Sequence, residues 1–150
     1  MPLAAGASAG KFKAIFVDVG LWQHLSGMRA DIEFAKADLL DIYEGAMAEQ
    51  FVGQELMVSQ ASDLFYWARE ARSSNAEVDY LAVVDETICP VEVKSGAAGK
   101  LKSLHLLLQT YPNCPRGLVF SCGRYAELPA QKLSFLPLYY AFSATTPRSR

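Results

Sequence analysis

The spacing of apolar residues changes near residue 62, and that change restricts the chain to a fold combining a long helix with a sheet. Over residues 31–60 apolar side chains recur at helical spacing, with Leu39, Tyr43, Met47 and Phe51 separated by steps of four, the stripe that one face of an α-helix turns towards a core. The spacing predicts one long helix, or two joined near Gly45. Beyond Ser62 the steps of four stop. Leu64-Phe65-Tyr66-Trp67 is an aromatic run, residues 69–75 are polar, and residues 78–84 are rich in β-branched side chains, which together predict a β-hairpin. A second turn at Asp85-Glu86-Thr87 leads into a third strand over residues 88–94, with Pro90 early in it, where a missing N–H is best tolerated. Three consecutive strands make an antiparallel meander.

The flanks complete the pattern. Residues 14–17 are apolar and closed by Asp18-Val19-Gly20, which suits a short strand or a turn into the next helix. The small-residue loop 95–99 opens a helix over 100–110 with Leu101, Leu104, Leu107 and Leu108 on its apolar face. Residues 116–122 read as a fourth strand and 135–142 as a final edge strand containing Pro137. Helix, three strands, helix and strand in that order form an α/β sandwich, a mixed central sheet flanked by helices. No repeat or linker divides the 150 residues, so one domain is expected over 11–142, between a flexible 1–10 and a disordered polar tail, 143–150.

Composition excludes several classes. The apolar runs 64–68 and 135–142 fall short of the roughly 20 residues of a membrane helix, and residues 1–10 lack a basic leader ahead of a long hydrophobic block. No membrane association and a cytoplasmic address are the expectation. Cys89, Cys114 and Cys122 are odd in number and have no CxxC spacing, which points to reduced thiols. A net charge of -2 provides no global field for a phosphate backbone, so any nucleic-acid contact is local or supplied by a partner. The 51% hydrophobic content leaves room for a face that binds another subunit or domain.

Three segments carry candidate chemistry. In Val91-Glu92-Val93-Lys94 the strand period sets Glu92 and Lys94 on one face and the valines on the other. Asp79 interrupts the apolar run Val78, Tyr80, Leu81, Val83 on the strand expected to pair with it, and a buried-leaning carboxylate needs a partner or a metal. Glu49 has Ala46, Val52, Ile42 and Leu56 at helical spacings, which places it on or beside the packed face. Taken singly, Glu92 with Lys94 reads more readily as an exposed ion pair, Asp79 also reads as a turn-forming aspartate and Glu49 as a solvated glutamate, and Glu55 resembles Glu49 in its surroundings. Together they form a set suited to Mg²⁺ or Mn²⁺: Asp79 and Glu92 as hard oxygen ligands with Glu49 assisting, and Lys94 to orient a water or neutralise developing charge.

The segments Gly45-Ala46-Met47-Ala48-Glu49-Gln50-Phe51-Val52-Gly53-Gln54-Glu55-Leu56, Leu64-Phe65-Tyr66-Trp67, Ala76-Glu77-Val78-Asp79-Tyr80 and Pro90-Val91-Glu92-Val93-Lys94-Ser95-Gly96 resemble, in order, the uncharacterised C-terminal domain of prokaryotic AAA-type ATPases. Phe16-Val17-Asp18-Val19-Gly20-Leu21 and Leu101-Lys102-Ser103-Leu104-His105 extend the likeness to about residues 11–141. The resemblance implies the PD-(D/E)xK nuclease superfamily, with its restriction-endonuclease-like core. By position it implies Glu49 as the helix carboxylate, Asp79 as the metal-binding aspartate, and Glu92 with Lys94 as the paired motif. The chain departs from the full-length pattern in having no GxxxxGK[ST] segment, so ATP hydrolysis by a P-loop is not expected. A stand-alone relative or a detached C-terminal piece would both look like this.

Weaker candidates surround this set. Arg69, Arg72, Lys100 and Lys102 lie in turn and helix-start positions from which they could touch phosphates, or form a solvated rim. Tyr66 and Trp67 suit base stacking but fit core packing better. His24 and His105 have no metal-ligand spacing, and no GxSxG elbow occurs. Two functions follow from different classes: a metal-dependent nuclease acting on DNA or RNA, and a non-catalytic module that docks on an AAA-type ATPase or on a second copy of itself. The first requires Glu49, Asp79, Glu92 and Lys94 to converge; the second requires a broad exposed apolar patch.

Overall fold

The computed structural model describes residues 3–8, 10–27, 37–60, 63–71, 74–96 and 100–145, and at 37–43, 71 and 74 the backbone alone. Residues 11–18 form an extended strap rather than a strand, leading into α1 (Val19–Leu25). Asp18 caps that helix, its Oδ1 accepting the Leu21 N–H at 2.8 Å. Helix α2 (Ala37–Gln60) passes through Gly45 without a break. Its buried stripe is Ala48, Val52 and Leu56, one position on from the expected Met47 and Phe51, which flank it half-buried. Leu39 and Tyr43 have side chains outside the described residues.

The meander forms as the periodicity predicts: β1 (Phe65–Ala71), β2 (Ser74–Val84) and β3 (Thr87–Lys94) pair antiparallel. Most of the expected polar turn at 69–75 is strand, because β1 is the sheet's edge and its outer side chains stay in water. The β2–β3 turn is tight, with Asp85 and Glu86 both at positive φ, 48° and 62°, as a two-residue I′ hairpin requires. Pro90 precedes the first residue of β3 in register with the next strand, Val91↔Leu118, so that ladder begins beyond its missing N–H.

Helix α3 (Lys102–Thr110) crosses over to β4 (Gly117–Ser121), which runs parallel to β3. Strand β5 (Ala126–Leu128) and strand β6 (Leu133–Pro137) complete a six-stranded mixed sheet in the order β1-β2-β3-β4-β6-β5. The final edge strand expected over 135–142 is corrected here: β6 lies inside the sheet, parallel to β4, and β5 is the edge. Pro137 ends that strand, and the chain turns through a 3-10 segment at Leu138–Tyr140 into α4 (Ala141–Thr145). The first residues of the expected tail are therefore helical. Thr145 is buried, its hydroxyl against that of Ser59 on α2; residues 146–150 lie outside the described set.

Both faces of the sheet are covered. Ala48, Val52 and Leu56 of α2 and Ala141 of α4 pack on Tyr80, Ala82, Val91, Val93, Leu118 and Phe120. On the other face Leu104, Leu107 and Leu108 of α3 pack on Val78, Val119 and Leu133. Strand β4 is buried along its whole length, each large apolar side chain contributing about 1.5–3 kcal/mol. Gly117 lets α3 lie directly on it: a Cβ there would stand 3.0 Å from Leu104 Cδ1. Among the described residues no helix is long and apolar enough to cross a membrane.

Candidate active site

An irregularity in β2 builds the site. Phe65 pairs with Leu81 and Trp67 with Val78, so two steps on β1 are matched by three on β2, a β-bulge between Val78 and Leu81. Strict alternation would put Val78 and Tyr80 on one face; instead Val78 joins the α3 side and Tyr80 the α2 side. Past Tyr80↔Val91 the β2–β3 register ends. There the Val93 N–H donates to Asp79 Oδ2 at 2.8 Å, a side chain standing in for a ladder carbonyl. The Asp79 carboxylate thus sits where the two strands part, and its side chain is 18% exposed.

Val91 and Val93 belong to the α2-side core, so Glu92 and Lys94 share the opposite face of β3. Glu92 is buried. Its Oε1 accepts from Lys94 Nζ at 2.6 Å, while its buried Oε2 has no hydrogen-bond partner, an unfavourable state for a carboxylate oxygen.

A second lysine, from the strap, enters on the α2 side. Lys13 Nζ donates to Glu49 Oε1 at 2.7 Å, pairs with Glu77 Oε1 at 2.8 Å, and lies 3.6 Å from Asp79 Oδ1. It also stands 5.4 Å from the ring centroids of both Tyr66 and Tyr80, within cation–π range. The strap is held to α2 by two glutamines one turn apart. Gln50 accepts the Phe16 N–H and donates to the Ala14 carbonyl, and Gln54 donates to that of Val17. Tyr80 anchors the same region by donating to the Glu49 carbonyl at 2.9 Å. Gly53 makes room for that hydroxyl, since a Cβ at Gly53 would stand 2.5 Å from it.

The electrostatics follow from this crowding. Burial, then the Glu92 and Glu49 charges, push the Asp79 carboxyl up to about 6, against the opposing Val93 N–H and Lys13 ammonium. Burial is also the largest influence on Lys13 and pulls it down, but its bonds to Glu49 and Glu77 outweigh that and the net shift is upward. Burial, with Glu49 and Asp79 adding to it, raises the Tyr80 hydroxyl.

Glu49, Asp79, Glu92 and Lys94 are thus connected: Lys13 links Glu49 to Asp79, Asp79 holds the backbone between Glu92 and Lys94, and Lys94 holds Glu92. Sequence reasoning missed Lys13 and Glu77. Lys13 lies 36 positions from Glu49 with nothing in the spacing to join them; for Glu77 the only signal was its place two residues before Asp79. Of the basic candidates, Arg69 is exposed on edge strand β1, and Lys100 and Lys102 are exposed at the start of α3. Ser103 on that helix accepts the Glu77 N–H at 3.4 Å, which brings the helix start to the site. Arg72 lies outside the described residues. Trp67 packs in the α3-side core, edge-on to Tyr111 at 6.4 Å, and Tyr66 faces Lys13. All three cysteines are free thiols. Among the described residues no cluster of three or more His, Cys, Asp or Glu side chains is arranged to hold a metal ion.

No curated protein and no solved structure matches the chain. The family described as a domain of unknown function, DUF4143, matches residues 44–140, a span that includes Glu49, Asp79, Glu92 and Lys94 but not the strap. The match covers more than half of the chain and all six strands of the sheet, and the protein therefore belongs to the DUF4143 family.

Proposed function

We propose that the domain is a metal-dependent phosphodiesterase of the PD-(D/E)xK type, acting on DNA or RNA, with Asp79 and Glu92 as ligands of Mg²⁺ or Mn²⁺. The observation that carries this reading is the buried, unpartnered Oε2 of Glu92, on a carboxylate near enough to Asp79 for its charge to push the Asp79 carboxyl upward. The order helix, meander, helix, strand supports the assignment to that superfamily. Mg²⁺ commonly keeps several waters and takes only one or two carboxylates, so Asp79 and Glu92 suffice as its protein ligands. When bound, such an ion lowers the pKa of a coordinated water and stabilises charge on a phosphate.

The chain's own groups do the rest. The Val93 N–H fixes Asp79 through Oδ2, with Oδ1 turned towards Lys13. Lys94 holds Glu92 by Oε1, which leaves Oε2 free and sets an ammonium where it orients a water or neutralises developing charge. Glu49 assists from α2, where Lys13 links it to Asp79. Lys100 and Lys102 at the head of α3, with Arg69, offer the local positive charge that a chain of net charge -2 needs to meet a phosphate backbone. Titrating Mn²⁺ calorimetrically into the wild type and an Asp79→Ala, Glu92→Ala double variant, then incubating both with single- and double-stranded DNA and RNA, tests this. Binding and cleavage lost together in the variant are expected; no binding by the wild type would sink the reading.

A second reading, docking on an AAA-type ATPase or on another copy of the chain, is favoured by a different surface. A hollow of about 1990 Å³ runs beside α4 and β6, lined in part by Leu136, Tyr139 and Tyr140, with Tyr139 74% exposed and Phe142 43% exposed nearby. Such an aromatic surface suits a protein interface. Light scattering on the wild type and a Tyr139→Ser, Tyr140→Ser variant separates a self-associating module from a monomer.

A further inference from the structure

Lys13 is the cation that the structure places among the carboxylates on the α2 side. Its ammonium is shared among Glu49, Glu77 and Asp79, carried by a strap whose backbone is tied to α2 through Gln50 and Gln54. These ties lie outside the carboxylate group, so the strap's docking and the lysine's placement are separable by mutation. Asp79 has one oxygen committed to the Val93 N–H and the other turned towards Lys13. Glu92 meanwhile keeps a buried oxygen that neither lysine reaches. Glu49, Glu77 and Asp79 are therefore neutralised from the α2 side by a lysine of the strap, while Glu92 is held by Lys94 of its own strand.

Resting on the metal-site reading above, we infer that the strap is a built-in plug: the Lys13 ammonium and a divalent cation exclude each other at Asp79, so metal binding and strap docking compete. Two cations sharing one carboxylate in a half-buried site repel, and a ligand that binds only the undocked form must draw the strap away from α2. Removing the lysine, or loosening the strap, then tightens metal binding by the fraction of docked state that no longer has to be displaced. Lys13 acts here through Asp79 and Glu49, as a residue that controls access.

The test combines calorimetric Mn²⁺ affinity with hydrogen exchange of residues 11–17, measured on the full chain as wild type, Lys13→Met, and Gln50→Ala, Gln54→Ala. The second variant keeps every charged side chain of the group, so it serves if Lys13→Met fails to fold. The expected results are Mn²⁺ affinity at least tenfold tighter in both variants, and faster exchange over residues 11–17 when Mn²⁺ is added to the wild type. Affinities unchanged or weaker in both variants, with exchange of the strap indifferent to Mn²⁺, would overturn the plug. If Asp79→Ala, Glu92→Ala abolished binding in that case, the metal site itself would stand. No Mn²⁺ binding by any form would remove the metal reading and the competition with it.

Discussion

Asp79 concentrates the tension of the site in one side chain. Its carboxyl titrates at about 6 in the fold, against roughly 3.9 in an unfolded chain. The folded state thus holds the proton more tightly. The associated stability is fully present below pH ~4 and is lost as pH rises through about 6. Asp79→Asn imitates the protonated group and keeps an acceptor for the Val93 N–H. It should stabilise the domain at pH 7.5 by up to about 3 kcal/mol and by much less at pH 4.5. Urea unfolding at the two pH values checks this; an equal gain at both would show that the benefit does not come from charge. Such a gain at neutral pH is what a residue kept for binding rather than for stability predicts.

At the scale of elements, two close approaches decide where helices sit on the sheet. The α2 side depends on Gly53 beneath the Tyr80 hydroxyl, and the α3 side on Gly117 beneath Leu104. The second contact can be tested as a pair. Gly117→Ala alone should destabilise by about 1–3 kcal/mol through overpacking, and Leu104→Ala by about 2–5 kcal/mol through the cavity it leaves. In combination the new methyl enters the vacated space, so the double variant should be more stable than the sum of the singles by about 1 kcal/mol or more. Additive losses would mean that α3 does not rest on Gly117. The bulge in β2 works at the same scale: by adding one residue between the pairs Trp67↔Val78 and Phe65↔Leu81 it turns Tyr80 towards α2 and leaves Asp79 at the parting of β2 and β3.

Across the whole molecule the two cores share one sheet, and β4, buried on both faces, contributes Leu118 and Phe120 to one and Val119 to the other. Neither core survives loss of the sheet, so unfolding should be a single transition. In a Trp22→Phe background Trp67 is the sole tryptophan and reports the α3-side core. Its fluorescence and the far-UV circular dichroism should give the same urea midpoint; a gap between them would show that the two sides unfold separately.

Local pattern carried much of this into view. Steps of four located α2, β-branched runs located β2 and β3, and the alternation in Val91-Glu92-Val93-Lys94 set Glu92 beside Lys94, because each depends only on residues a few positions apart. The end of the chain was harder: 133–142 is apolar throughout most of its length, and only the pairing of β6 between β4 and β5 makes part of it an inner strand and the rest helical turns. The sequence by itself determined which residues have the chemistry for a site and which strands and helices bear them. Tertiary structure alone decided that the β2 strand bulges at Asp79, that Glu77 turns towards the site, and that Lys13 reaches Glu49 and Asp79 from a strap distant in sequence. These are outcomes of packing between elements far apart along the chain, and a local period holds no record of them.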